Sequence, residues 1–199
     1  LCLAPLAHAE KPAAARLLAP ASGVVGVTDA QLSPEFWLMR LPSPNQPLLD
    51  RAAIDGRNAL LFQSDKSMHD LNALPASLER AQVAGWIEDL ASPPSKALYD
   101  EQHQPVPAAT LDALVANRNL DAIPATQATR FGMVLQRADL RSFPTTLRVF
   151  SSDDDADIDR FQESALFPGT PVAIVHASRD GKWLFVVSPR YAAWIEARF

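Results

Sequence analysis

Cysteine is almost absent from this chain, with only Cys2 among 199 residues, and that thiol sits in an apolar start, residues 1–9, that reads as removable. Once those residues are removed, the mature chain has no disulfide, no cysteine knuckle for zinc and no Cys nucleophile. Glycine is also scarce, at seven residues, and no G-x-S-x-G nucleophile turn occurs. Basic charge is in deficit: 18 Lys and Arg stand against 23 Asp and Glu, a formal net charge of −5. With no basic block either, a nucleic-acid surface is disfavoured. No uninterrupted apolar run reaches the roughly 18–20 residues that cross a bilayer, so no membrane span is expected. There is no internal repeat.

What is present is an apolar share of 48%, enough to bury the core of one domain or two small ones. The start, LCLAPLAHA, ends on Ala7-His8-Ala9, the small-x-small pattern at which export signals are cut. Cleavage after Ala9 and a periplasmic location are therefore expected, with lipidation of Cys2 as the other possibility for that residue. Residues 1–29 read as signal remnant and leader, 30–124 as a helical segment, and 125–199 as an antiparallel barrel.

The helical reading rests on spacing. Ser33-Pro34 opens a short helix over 34–41, because Ser accepts from free amides and Pro presets φ. Residues 50–62 form a second, weakened by Gly56. Within 75–91, Val83, Trp86, Ile87 and Leu90 fall at i, i+3, i+4 and i+7, one apolar helical face. Leu111, Leu114 and Val115 repeat the spacing. After Pro124 the period becomes two, in Phe131-Met133-Leu135, Val172-Ile174-His176 and Trp183-Phe185-Val187. Asp180-Gly181 joins the last two runs as a hairpin turn. The expected class is α+β, a helical segment packed on an SH3-like barrel.

Several of these residues together resemble the N-terminal, non-catalytic part of NlpC/p60-type cell-wall cysteine peptidases. Phe36-Trp37, Asp50-Arg51-Ala52-Ala53-Ile54 with Asn58, and Leu98-Tyr99 before Pro105 look like that family's helical stabilising segment. Arg130-Phe131-Gly132 and the run from Arg137 to Thr145 look like the opening of its first bacterial SH3 domain. Trp183-Leu184-Phe185-Val186 and Tyr191-Ala192-Ala193-Trp194-Ile195 look like its ending. The resemblance implies a non-catalytic module that positions peptidoglycan stem peptides for a γ-D-glutamyl-diamino acid endopeptidase domain, lying beyond Phe199 or acting in trans. The other reading is an independent tether to the cell wall. No catalytic residue matches the family's Cys and His, and neither metal nor other cofactor is implied.

Candidate residues carry two readings each. The acidic run 151–159 holds Asp153, Asp155 and Asp157, and no EF-hand register fits it, because Ile158 and Ser164 stand where Gly and Glu are required. It is a hydrated loop, or a loop that draws amino groups of a wall peptide, with Phe150 and Phe161 flanking it. Arg141 and Phe143 either bind ligand or hold a join, with Pro144 setting the chain direction. Asp50, Arg51, Trp86, Trp183 and Trp194 are expected to be structural, although Trp86 can also stack on a sugar ring.

Overall fold

The computed structural model describes residues 23–154 and 157–199. The expected export signal, most of the leader and Asp155 lie outside the described residues. Two compact units divide between Arg51 and Ala52. In the first, helix α1 spans Pro34–Leu38 with Pro at its first turn. Ser33 does not cap it as the sequence suggested, because its hydroxyl donates to the neighbouring Glu35 carboxylate at 2.5 Å. Trp37 donates its indole N–H to the Gln31 carbonyl at 2.8 Å, and Arg40 lies over the Phe36 ring at 3.4 Å. The Phe36-Trp37 pair thus organises its own turn.

The second unit is mixed helix and antiparallel sheet, an α+β arrangement. Helix α2, Arg51–Ser64, buries no residue, and Leu60 stays 62% exposed. Strand β1 (Ser77–Glu79) leads directly into α3 (Arg80–Leu90), followed by α4 (Ala108–Asn117) and β2 (Thr126–Ala128). The helix expected from residue 75 therefore starts late. Residues 77–79 pair antiparallel with β2, Leu78 opposite Gln127, and that pairing sinks Leu78 completely while its neighbours stay exposed. Long-range pairing has overridden local helical preference.

The remaining strands are β3 (Arg130–Met133), β4 (Ala138–Arg141), β5 (Gln162–Leu166), β6 (Pro171–Ala177), β7 (Trp183–Val187) and β8 (Ala192–Glu196). They form one sheet in the order β3-β6-β7-β8-β4-β5. Its end strands β3 and β5 do not pair, so the sheet where an SH3-like barrel was expected is not closed. The hairpin at Asp180-Gly181 is present, with Gly181 at φ 69 and the Ser178 amide donating to the Trp183 carbonyl at 2.9 Å. On β3 the alternating apolar row faces outward: Phe131 is 60% and Met133 59% exposed, with Leu135 beyond the strand 70% exposed, whereas Val134 is buried. Period two marked the strand without telling which face turned inward.

One core joins helix to sheet. Val83 and Ile87 of α3, with Leu78 and Ile123, meet Val175, Trp183, Phe185, Val187 and Trp194. Each such aliphatic side chain contributes about 1.5–3 kcal/mol on burial, so α3, unlike the unburied α2, is the helix that holds the sheet. A separate cluster of Phe143, Val149 and Phe161 packs against Leu111, Leu114 and Val115 of α4. These shared cores run through the expected boundary at residue 124.

Candidate functional site

Strand β4 ends at Arg141, where the register with β5 shifts between Leu140 and Arg141. There the guanidinium sits in a nest of acceptors. Its Nε donates to the Thr145 carbonyl at 3.1 Å, Nη2 to the Leu147 carbonyl at 2.5 Å, and Nη1 to Asp159 Oδ2 at 2.5 Å and Gln162 Oε1 at 3.1 Å. The Asp159 carboxylate in turn accepts from the backbone amides of Val149 and Phe161 at 3.2 and 3.0 Å. Both side chains of the ion pair are nearly buried, at 6% and 8% exposure. A charge so enclosed requires this full set of hydrogen bonds.

Phe143 is 2% exposed and lies tilted on Phe161 with ring centroids 4.9 Å apart, and Pro144 is buried beside it. Neither ring offers a face to solvent. Of the substrate-binding candidates, Phe143 and Phe161 lie buried, and Arg141, its donors engaged in the nest, still lines the groove beside the acidic loop. Asp153 and Asp157 are exposed.

The acidic loop is anchored at both ends. Tyr99 and Phe150 exchange backbone hydrogen bonds at 3.0 and 2.8 Å, and the Arg160 amide donates to the Val149 carbonyl at 2.8 Å. His103, held at φ 60, places its Nδ1 2.5 Å from the Asp153 carbonyl. The Asp154 carboxylate accepts from the Ser152 hydroxyl at 2.6 Å, whereas the Asp153 carboxylate has no protein partner among the described residues. Beside the loop lies a groove of about 470 Å³, lined by Asp139, Arg148, Asp157, Asp159, Gln162 and Glu196. Two of its acids are offset at the surface, Asp139 by Arg137 at 2.7 Å and Glu196 by Arg198 at 2.7 Å. Such exposed pairs are worth little, so a competing cation can displace either arginine at small cost. Among the described residues no group of three His, Cys, Asp or Glu could hold a metal ion.

Sequence reasoning missed the group that ties the last turn to β5. Glu163 accepts from the Ser142 hydroxyl and from the Tyr191 phenol, each at 2.5 Å. Burial, and then the adjacent Glu163 carboxylate, push Tyr191 up to about 12. It also missed the setting of His176, whose Nε2 lies 3.0 and 3.1 Å from the carbonyls of Arg118 and Asn119. Two carbonyl acceptors fix the proton on that nitrogen. Burial lowers its pKa, against the pull of those carbonyls. Among the expected structural residues, Trp194 is fully buried with its edge toward Phe185 at 5.3 Å, and Trp183 is 6% exposed. Trp86 is half-buried, and Asp50 and Arg51 are exposed at the start of α2.

Residues 148–196, from the acidic loop through β8, match the family model for the SH3 domain of SH3b1 type. No curated protein sequence matches the chain. Among solved structures, an NlpC/P60 endopeptidase from Photobacterium damselae subsp. piscicida shares the fold at a TM-score of 0.56 and 20% identity. The likeness covers 74% of this chain and 36% of that one, so the chain spans about a third of that protein's length. Residues 148–196 are thus similar to an SH3 domain of the SH3b1 type, within a fold like that of an NlpC/P60 endopeptidase.

Proposed function

We propose that the chain is a cell-wall-binding, substrate-positioning module that acts in the periplasm and presents peptidoglycan stem peptides to an NlpC/P60-type cysteine peptidase domain. The observation that carries this reading is the SH3b1 match over residues 148–196 within a fold shared with an NlpC/P60 endopeptidase. The acidic groove supports it chemically. Stem peptides carry a free amine at the diamino acid, and the carboxylates of Asp139, Asp157 and Glu196 line a groove large enough for one such side chain. Phe143 serves from below, and Arg141, which lines the groove, holds the loop at its rim through Asp159. The peptide bond is cleaved by the peptidase domain, and this module contributes orientation and local concentration.

The test is co-sedimentation of the purified chain with intact peptidoglycan sacculi, paired with titration of an L-Ala-γ-D-Glu-diaminopimelate tripeptide. The reading expects retention on sacculi and saturable tripeptide binding. A chain that stays in the supernatant and leaves the tripeptide unbound sinks it.

A further inference from the structure

Away from the acidic loop, a second groove of about 430 Å³ opens where α3 meets the turn before β8. Its lining comes from three separate parts of the chain: Lys66 and His69 after α2, Trp86 and Asp89 on α3, and Tyr191 before β8. Three of these side chains are rings, each half-buried, so each keeps part of a face or edge open. The His69 ring meets Trp86 edge-on, with centroids 6.1 Å apart, and the His69 amide is tied to the Pro189 carbonyl at 3.0 Å. The aromatic wall is thus fixed before any ligand arrives.

The polar groups in the groove are the informative part. Among the described residues, the Asp89 carboxylate, the Lys66 ammonium, the His69 ring nitrogens and the Trp86 indole N–H make no hydrogen bond or ion pair within the protein. Tyr191 donates its own proton away, to Glu163, and so offers only an acceptor oxygen. Burial keeps the His69 pKa below its ordinary value, so near neutral pH the ring supplies one donor and one acceptor. The volume falls within the roughly 300–1,000 Å³ of small-molecule sites, and the lining follows their pattern of an apolar wall with a few convergent polar groups.

An alternation of ring faces with unused donors and acceptors matches a pyranose, which has apolar C–H faces and hydroxyls around its edge. A flat apolar ligand would leave the Asp89 and Lys66 charges unmatched, and a simple anion or cation would leave the rings unused. His69 also lines a neighbouring groove of about 540 Å³ with Phe62, Phe131, Asp70 and Asn72, so a ligand can run on from one to the next. We propose that the His69-Trp86-Tyr191 groove is a saccharide-binding site that takes a chain of linked pyranose rings, with one ring stacked on Trp86 and its hydroxyls bonded to Asp89 and Lys66. That the rings are acetylated amino-sugars of the wall rests on the reading under Proposed function. The sugar site and the acidic groove would together engage both the glycan and the peptide of one polymer.

The experiment is calorimetric titration of the full chain with the tetrasaccharide of β-1,4-linked N-acetylglucosamine. Saturable binding is expected, weakened about tenfold or more by Trp86→Ala, kept within about threefold by Trp86→Phe, and weakened several-fold by Asp89→Asn. Circular dichroism of each variant separates lost binding from lost fold, and Trp86→Phe keeps the test decisive if Trp86→Ala unfolds. Absence of tetrasaccharide binding by the parent chain overturns the proposal, as does equal binding by a folded Trp86→Ala chain. If the sugar fails while the stem tripeptide and sacculi still bind, only this site falls. If neither sugar, tripeptide nor sacculi bind, the wall-binding reading falls with it.

Discussion

The guanidinium of Arg141 and the carboxylate of Asp159 meet at 2.5 Å with almost no solvent around either, 18 residues apart in sequence. The contact closes the base of the acidic loop, since Asp159 also holds the amides of Val149 and Phe161. Removing one partner leaves the other charge buried without compensation. Arg141→Ala is therefore expected to cost about 3–5 kcal/mol in urea unfolding, whereas a joint Arg141→Met, Asp159→Leu replacement costs much less. If the single and double variants lose the same stability, the pair is not what holds the loop.

Phe143 supports the same loop from inside. It fills the space between α4 and Phe161, and Arg118 lies 5.7 Å from its ring. Phe143→Ala should lower stability by about 3–5 kcal/mol, with Phe143→Leu losing distinctly less because most of the volume remains. Chemical denaturation measures both. A near-zero loss for the alanine variant contradicts a buried ring.

Local patterns made α3 and the Asp180-Gly181 turn legible, because both depend on residues within a few positions of one another. The partners of Arg141 were not legible, since the acceptors are the Thr145 and Leu147 carbonyls, Asp159 and Gln162, gathered beside a register shift between β4 and β5. Strand β1 was misread for a related reason: three residues next to a strong helical pattern take their state from Thr126–Ala128, far along the chain. The outward turn of Phe131 and Met133 shows the limit of a period-two signal. Alternation defines two faces, and only the neighbouring β6, with Ile174 against Gly132, decides which one is covered. The groove around Trp86 escaped notice because its lining comes from three segments.

Under the proposed function, the acidic loop acts through charge at its surface. Replacing Asp153, Asp154, Asp155 and Asp157 together by Asn should weaken binding of an amine-bearing stem peptide by about 1 kcal/mol or somewhat more at low ionic strength. At high salt the variant and the parent should bind alike, because exposed charges are then screened. Titrations at two salt concentrations decide this, and a parent–variant gap that persists unchanged at high salt assigns the effect to shape instead.

Acid should loosen the fold through His176. Its ring is buried, its Nε2 proton is committed to the Arg118 and Asn119 carbonyls, and burial depresses its pKa below 6.5. The unfolded chain therefore takes up the proton first. The stabilisation is fully present above pH 6.5 and drains away as pH falls through the lower folded-state value. His69 shifts in the same direction through burial alone. Urea midpoints of the parent chain should decline from pH 7 toward pH 5, and His176→Gln should flatten part of that slope.

Alkali probes the other end of the sheet through Tyr191, whose phenol donates to Glu163 at 2.5 Å while Ser142 donates to the second oxygen. Ionising the phenol would place two negative charges in contact, which with burial raises its pKa from 10 to about 12. A raised folded-state value means that the neutral form stabilises the fold below pH 10 and that this contribution disappears as pH climbs to about 12. Tyr191→Phe removes both the hydrogen bond and the titration. Thermal melts from pH 9 to 12 should fall more steeply for the parent than for the variant, so that their curves converge. Parallel decline of the two would show that Glu163 does not restrain the phenol, and that the turn before β8 is held by the Ser188 hydroxyl, which donates to the Tyr191 carbonyl, without help from Glu163.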